Sequence, residues 1–195
     1  MPRLGKSKST WVTYAIEAAI IVLALLLGLA IRHGVYDTVI VISRSMEPTL
    51  LIGDRLLIDH RNSLHGNWRR GDIVLFFPPS AWGEPDRLIK RVIGLPGETI
   101  EIQPGSVAVN GRALNEEYIA ADVAASVVAD PEEITNLRLT LGAGQYFVMG
   151  DNRSNSADSR LYGPISDSGI YGRVARRLGP VSRWGKLPTP AYQRE

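Results

Sequence analysis

The hydrophobic pattern of the chain changes character once, near residue 33. From Trp11 to Ile31 apolar residues run almost without a break, Glu17 and a few small polar residues aside. Such a run is about as long as a bilayer-spanning helix of roughly 20 residues, and it predicts one transmembrane helix over 12–32 behind a short cytoplasmic N-terminus, 1–11. Glu17 sits near one end, where a carboxylate can reach the headgroups. Arg3, Lys6 and Lys8 precede the run, and Arg32 and His33 come after it. The positive-inside bias then keeps the N-terminus in the cytoplasm and exports the chain beyond about residue 33. Two other readings fit the same apolarity: a cleaved signal peptide with Gly28-Leu29-Ala30 as its small-x-small site, or a buried core helix. Length and flanks favour the anchor.

After residue 33 there is no helical period of any length. Short β-rich runs take over: Val35–Ile42, Arg55–Ile58, Asp72–Phe77, Arg87–Gly94, Thr99–Gln103, Ser106–Val109, Leu137–Leu141 and Tyr146–Met149. Gly53-Asp54, Gly71-Asp72, Pro78-Pro79, Pro96-Gly97, Pro104-Gly105, Asn110-Gly111 and Gly142 to Gly144 punctuate them. Many short strands at this spacing predict a mainly β fold, a bent antiparallel sheet or barrel-like domain over 33–178. Thr99 to Leu114 reads as a hairpin arm turning at Pro104-Gly105 and Asn110-Gly111. The alanine- and acid-rich stretch 120–136 reads as a surface insertion. The proline-containing tail 179–195 reads as loosely ordered.

Composition narrows the function classes. The 195 residues are 45% hydrophobic, enough to fill a core, and carry a net charge of only +2. No basic block interleaved with aromatics marks a nucleic-acid surface. The absence of cysteine excludes disulfides, thiolate catalysis and cysteine-bound metal. No His/Asp/Glu spacing points to a metal, so no cofactor is expected.

Three stretches carry chemistry. Val39 to Ile42 reads as a strand that stops at Ser43 and Ser45, which period 2 puts on one side; Pro48 then forces a turn. A hydroxyl where a strand breaks is accessible yet held, which suits a nucleophile, although Ser and Pro are also ordinary turn residues. In the second stretch, Arg87 to Gly94, alternation puts Lys90 on the face of Leu88 and Val92, and Arg91 on the other with Ile89 and Ile93. Aliphatic neighbours desolvate the amine and lower its pKa. At pH 8 a lysine near pKa 10.4 is neutral in roughly one molecule in 250, against about one in four near 8.5. That shift separates an inert ammonium from a general base. The plainer reading is a lysine snorkelling from an edge strand. The third stretch, Gly150 to Arg160, is a dense polar loop after an apolar strand. It can be a set of Asx-turns or the brace of an active site, with Asp158 and Arg160 paired and Ser156 holding the lysine head.

Ser43-Arg44-Ser45-Met46-Glu47-Pro48-Thr49-Leu50, Gly71-Asp72-Ile73-Val74, Lys90 through Glu98, and Gly150-Asp151-Asn152-Arg153 through Ser159-Arg160 together resemble the type I signal peptidases. Those are membrane-anchored serine proteases with a Ser/Lys dyad. The motifs occur in the family's order behind an N-terminal hydrophobic segment, and the likeness spans residues 12 to 178. The resemblance implies Ser45 as nucleophile and Lys90 as its general base. It implies Ser43 and the Ser45 N–H as oxyanion donors, Ser156 as the residue orienting the amine, Asp158 and Arg160 as a supporting pair, and Asp151 as a structural carboxylate. Apolar pockets taking small residues, with Met46 among their walls, are implied by the same likeness. So are exported preproteins as substrates, the lipid bilayer as a partner, a monomer, and the bacterial or organellar branch rather than the branch that uses histidine. Nothing carries over to 120–136 or the tail.

Rival readings are a Ser-His-Asp triad using His33, His60 or His65, none in a motif-like context, and a self-cleaving repressor, which would need a DNA-binding domain where this chain has an apolar span. A specialised pilus or thylakoid processing peptidase is the nearest enzyme alternative, and an anchored peptide-binding β-domain the non-enzymatic one. The Phe76-Phe77-Pro78-Pro79 and Trp82 loop reads either as a membrane-dipping surface or as a core cap.

Overall fold

A computed structural model of the protein describes residues 8–61, 63, 66–83, 86–119, 136–188 and 190. The chain forms two compact units, Met1–Tyr36 and Asp37–Glu195. The first contains helix α1, Lys8–Val35. Within it Thr10–Leu29 is long and apolar enough to cross a membrane, and none of that window is buried, which is not how a core helix is packed.

The second unit is built on two antiparallel sheets. The larger has seven strands in the order β1 (Tyr36–Ile40), β2 (Arg55–Asp59), β11 (Ile170–Gly179), β3 (Ile73–Phe76), β4 (Leu88–Gly94), β9 (Gln145–Met149) and β10 (Ile165–Ser166). The smaller has four: β7 (Arg112–Ala113), β6 (Ser106–Val109), β5 (Thr99–Gln103) and β8 (Leu137–Thr140). The expected arm is this second sheet. Its β6–β7 turn is the predicted Asn110-Gly111, both at positive φ (52° and 78°), as a type I′ hairpin turn requires. The stretch 120–135 lies outside the described residues.

Three apolar clusters hold the sheets. Val74, Phe76, Val92 and Val148 pack with Trp68 and Trp82 on one face of the large sheet. Ile93, Phe147 and Met149 meet Ile100, Ile102, Val107 and Leu141, which joins the two sheets. A side chain at Gly94 would lie 2.5 Å from Ile100 Cδ1, so glycine permits that close approach. The third cluster sets Val41, Met46 and Leu50 against Leu56, Ile58, Ile73 and Leu75. Met46 and Leu50 are fully buried; at about 1.5–3 kcal/mol per side chain, they pin the turn that carries Ser45 to the sheet.

Three features depart from the pattern reading, and a fourth decides between two alternatives. The first strand ends at Ile40 rather than Ile42, because Val41 leaves the ladder to exchange hydrogen bonds with Gly53 and Asp54. The longest strand, β11, falls where none was predicted. Its arginines interrupt the apolar run, yet its burial alternates, and Arg173 and Arg177 meet Asp59, Asp72 and Asp54. Of its two readings, the aromatic loop takes mostly that of a core cap: Phe76 is buried and Trp82 only 4% exposed, while Phe77 stands out at 52%. Finally, the tail is tied in as far as residue 188. Arg177 and Gly185 exchange backbone hydrogen bonds, and Leu187 packs against the third cluster.

Candidate active site

Ser45 and Lys90 come from different kinds of element. Lys90 rides on β4, an interior strand, opposite Val74 of β3. Leu88 and Val92 join the first cluster, whereas Ile89 and Ile93 go to the others, so the strand alternates as expected. Lys90 is 3% exposed, far from a snorkelling edge lysine. Its Nζ donates a hydrogen bond to Ser45 Oγ at 2.7 Å.

Ser45 lies in a turn, not on a strand. Glu47 N donates to Arg44 O at 3.1 Å and Leu50 N to Met46 O at 2.8 Å, so the chain coils tightly around the serine. Ser43 and Ser45 still face each other, their hydroxyl oxygens 3.2 Å apart. The expected proximity holds, through turn geometry instead of strand period. Ser45 is half-buried and Ser43 exposed.

The polar loop after β9 closes over this turn. Asn152 donates from its backbone to Ser45 O at 3.1 Å and from Nδ2 to Arg44 O at 3.1 Å. Gly150 fills the gap between: a Cβ there would lie 2.4 Å from Ser45 O and 2.3 Å from Ser156 Oγ. No side chain fits without moving the Ser45 backbone and the Ser156 side chain.

Ser156 Oγ donates to Asp158 Oδ2 at 2.8 Å. A hydroxyl whose proton is committed in this way is left as an acceptor for an amine. Asp158 also accepts from Gly150 N at 2.9 Å and from Arg160 Nε and Nη2, each at 2.9 Å. Burial pushes this carboxyl up, but the Arg160 charge and these donors outweigh it and hold the acid below its ordinary value. Arg160 reaches on to Arg153 O at 2.8 Å.

Asp151 pairs with Arg91, the residue after Lys90: Nε reaches Oδ1 at 2.8 Å and Nη2 reaches Oδ2 at 2.6 Å. Arg91 also donates to Gly71 O at 3.0 Å and lies 4.0 Å under the Tyr118 ring. Arg153 donates to Gly150 O at 3.0 Å and pairs with Glu116. Glu116 and Tyr118 were not singled out from sequence, and Arg91 and Gly150 were named there without these roles, because the roles depend on partners far along the chain.

Beside the dyad runs an open groove of about 660 Å³, lined by residues 38–43, Ser45, Met46, Leu50, Leu75 and residues 86–90. Met46 thus belongs to both its wall and the core. The histidines stand elsewhere: His60 Nδ1 lies 2.8 Å from Tyr171 O, the His33 side chain and all of His65 lie outside the described residues, and none of the groove lining is histidine. Among the described residues no group of three or more His, Asp or Glu is placed to hold a metal.

Comparison with known proteins gives the family of the chain. The family profile described as signal peptidase, peptidase S26, matches residues 12–178. Signal peptidase I of Leptolyngbya laminosa is 40% identical over 177 residues, 87% of this chain and 82% of that protein. Probable signal peptidase I-1 of a Synechocystis strain is 36% identical, covering 92% and 89%, and signal peptidase I T of Bacillus subtilis is 36% identical, covering 82% of each. The chain therefore belongs to the signal peptidase family, peptidase S26, the serine endopeptidases that remove signal peptides from preproteins.

Proposed function

We propose that this chain cleaves its preproteins with Ser45 as nucleophile and Lys90 as the only general base. The observation that supports this is the 2.7 Å approach of a buried Lys90 Nζ to Ser45 Oγ. Burial disfavours the charged form of a lysine; in the neutral form the amine accepts the proton of the Ser45 hydroxyl as Oγ attacks the scissile carbonyl. The charged lysine then protonates the leaving amine. A water, deprotonated by the same amine, hydrolyses the acyl-enzyme. Ser43 Oγ–H and the Ser45 N–H take the developing oxyanion, with Ser43 near enough to Ser45 to share its substrate oxygen.

Ser156 and Asp158 act together in this scheme. Asp158 fixes the Ser156 hydroxyl, and Ser156 accepts from the amine and aims it. Asp151 and Arg160 hold the loop. The substrate lies extended in the groove beside residues 38–43, where backbone groups can pair with it as an added strand. Its small side chains settle against Met46, Leu50 and Leu75.

The protein is anchored by the N-terminal helix. The basic residues before it favour a cytoplasmic N-terminus, with the catalytic unit on the extracytoplasmic side. Every residue of the proposed chemistry comes from one chain, so a monomer suffices. Incubating the purified protein with a preprotein and sequencing the new N-terminus tests the reading. Ser45→Ala and Lys90→Ala are each expected to abolish the cut, and near-normal cleavage by either would overturn it.

A further inference from the structure

The turn that carries Ser45 is gripped from behind by two arginines, Arg177 inside the family match at residues 12–178 and Arg183 just past it. The carbonyl of Thr49, four residues after Ser45, accepts from two arginines: Arg177 Nη2 at 2.6 Å and Arg183 Nη2 at 3.3 Å. Arg183 Nη1 also donates to Asp54 Oδ1 at 3.0 Å, and Arg177 Nε lies 3.2 Å from Asp54 Oδ2. Asp54 in turn accepts from Leu51 N at 2.9 Å through its side chain and from Val41 N at 2.9 Å through its backbone. Asp54 is almost fully buried, and Arg183 has a quarter of its side chain exposed.

These bonds form one knot around both ends of the serine turn. They hold Val41 ahead of Ser43, and Thr49 and Leu51 beyond Pro48. A turn is held by few bonds, so a carbonyl fixed at its exit restricts where its central hydroxyl can sit. Arg183 is suited to this because one planar guanidinium spans a carboxylate and a carbonyl with fixed donor angles, which a lysine cannot do. It reaches the turn only because the chain folds back after β11, through the Arg177–Gly185 bridge.

We infer that Arg183 is a positioning residue for catalysis, setting the Ser45–Lys90 distance through Thr49 and Asp54 without touching substrate. The inference rests on the Ser45/Lys90 reading. Misplacement of a reacting group by about 1 Å can cost on the order of 100-fold in rate, so even a partial release of the turn is measurable.

The test uses the full chain in detergent with a preprotein substrate and compares Arg183→Gln, Arg183→Lys, Ser45→Ala and, as a control, Arg176→Gln, altered at an exposed position of β11. Arg183→Gln is expected to lower kcat about tenfold or more, with KM within about twofold and the unfolding midpoint little changed. Arg183→Lys, which keeps the charge at Asp54 but not both donors, should recover only part of kcat, and Arg176→Gln should behave as the unaltered protein. Unchanged kcat in Arg183→Gln overturns the inference, as does a fall in kcat matched by a raised KM or by a lowered unfolding midpoint. Turnover by Ser45→Ala would overturn the dyad reading instead, and the two failures are therefore distinct.

Discussion

Arg91 and Asp151 face each other with both side chains wholly buried, joined by hydrogen bonds of 2.8 and 2.6 Å. The pair links the residue after Lys90 to the residue after Gly150, and so ties β4 to the loop that covers the Ser45 turn. Removing one member of a buried pair strands the other, at a cost of about 3–5 kcal/mol. Asp151→Ala is therefore expected to lower the unfolding midpoint by on the order of 10 °C, measured by thermal denaturation of the purified protein. A midpoint within a degree or two of the unaltered protein would show that the pair is not holding the loop.

Gly150→Ala should separate activity from stability. The new methyl meets the Ser45 carbonyl and the Ser156 hydroxyl at well under van der Waals distance, so the serine turn must shift. Overpacking of this kind costs about 1–3 kcal/mol in stability, while the rate should fall by on the order of 100-fold. Steady-state cleavage and thermal melts of the same preparation check both halves.

Ser43→Ala removes a hydroxyl that is exposed and whose described hydrogen bond is to Ser45. Stability should stay put. If Ser43 donates to the oxyanion, kcat should fall by about 100- to 1,000-fold, the range seen when one such donor is lost. A drop of less than threefold would leave the Ser45 backbone N–H as the main donor and remove Ser43 from the mechanism.

Acid should loosen the loop through Asp158. Its carboxyl is held below the ordinary value in the folded state, so folding favours the ionised form. That contribution is fully present above the unfolded value, about 3.9, and is lost as pH falls through the lower folded value. Asp158→Asn never has it. The gap in unfolding midpoint between the unaltered protein and Asp158→Asn is therefore expected to be constant near neutrality and to narrow below about pH 4. A gap independent of pH down to 2 would contradict the assignment.

How much of this was readable in advance depends on the range of each signal. The helix, the short strands and the Asn110-Gly111 turn are encoded by neighbours in sequence, and all are present at or near their predicted places. Ser45 and Lys90 stood out through family motifs and the apolar setting of β4. What escaped was carried by arginine. In Ile170–Gly179 the charged positions hide a strand, because Arg173 and Arg177 are matched by Asp54, Asp59 and Asp72, all more than a hundred residues upstream. The same reason hid Arg91 and Arg153: a buried guanidinium looks like surface until its carboxylate is known. The serine pair was right in outcome and wrong in cause, since a turn and not a pleat brings the two hydroxyls together.

The amine sits on an interior strand, bonded on both sides by β3 and β9, whereas the hydroxyl sits on a coil secured by a few separate clasps. Heat should thus blunt this enzyme from one side only. As temperature rises, the clasps at Thr49, Asn152 and Gly150 give way before the ladder does, and catalysis fades while the β framework is still whole. Engineering for warmer use has a correspondingly short list of places to begin, all of them on the serine's side of the cleft.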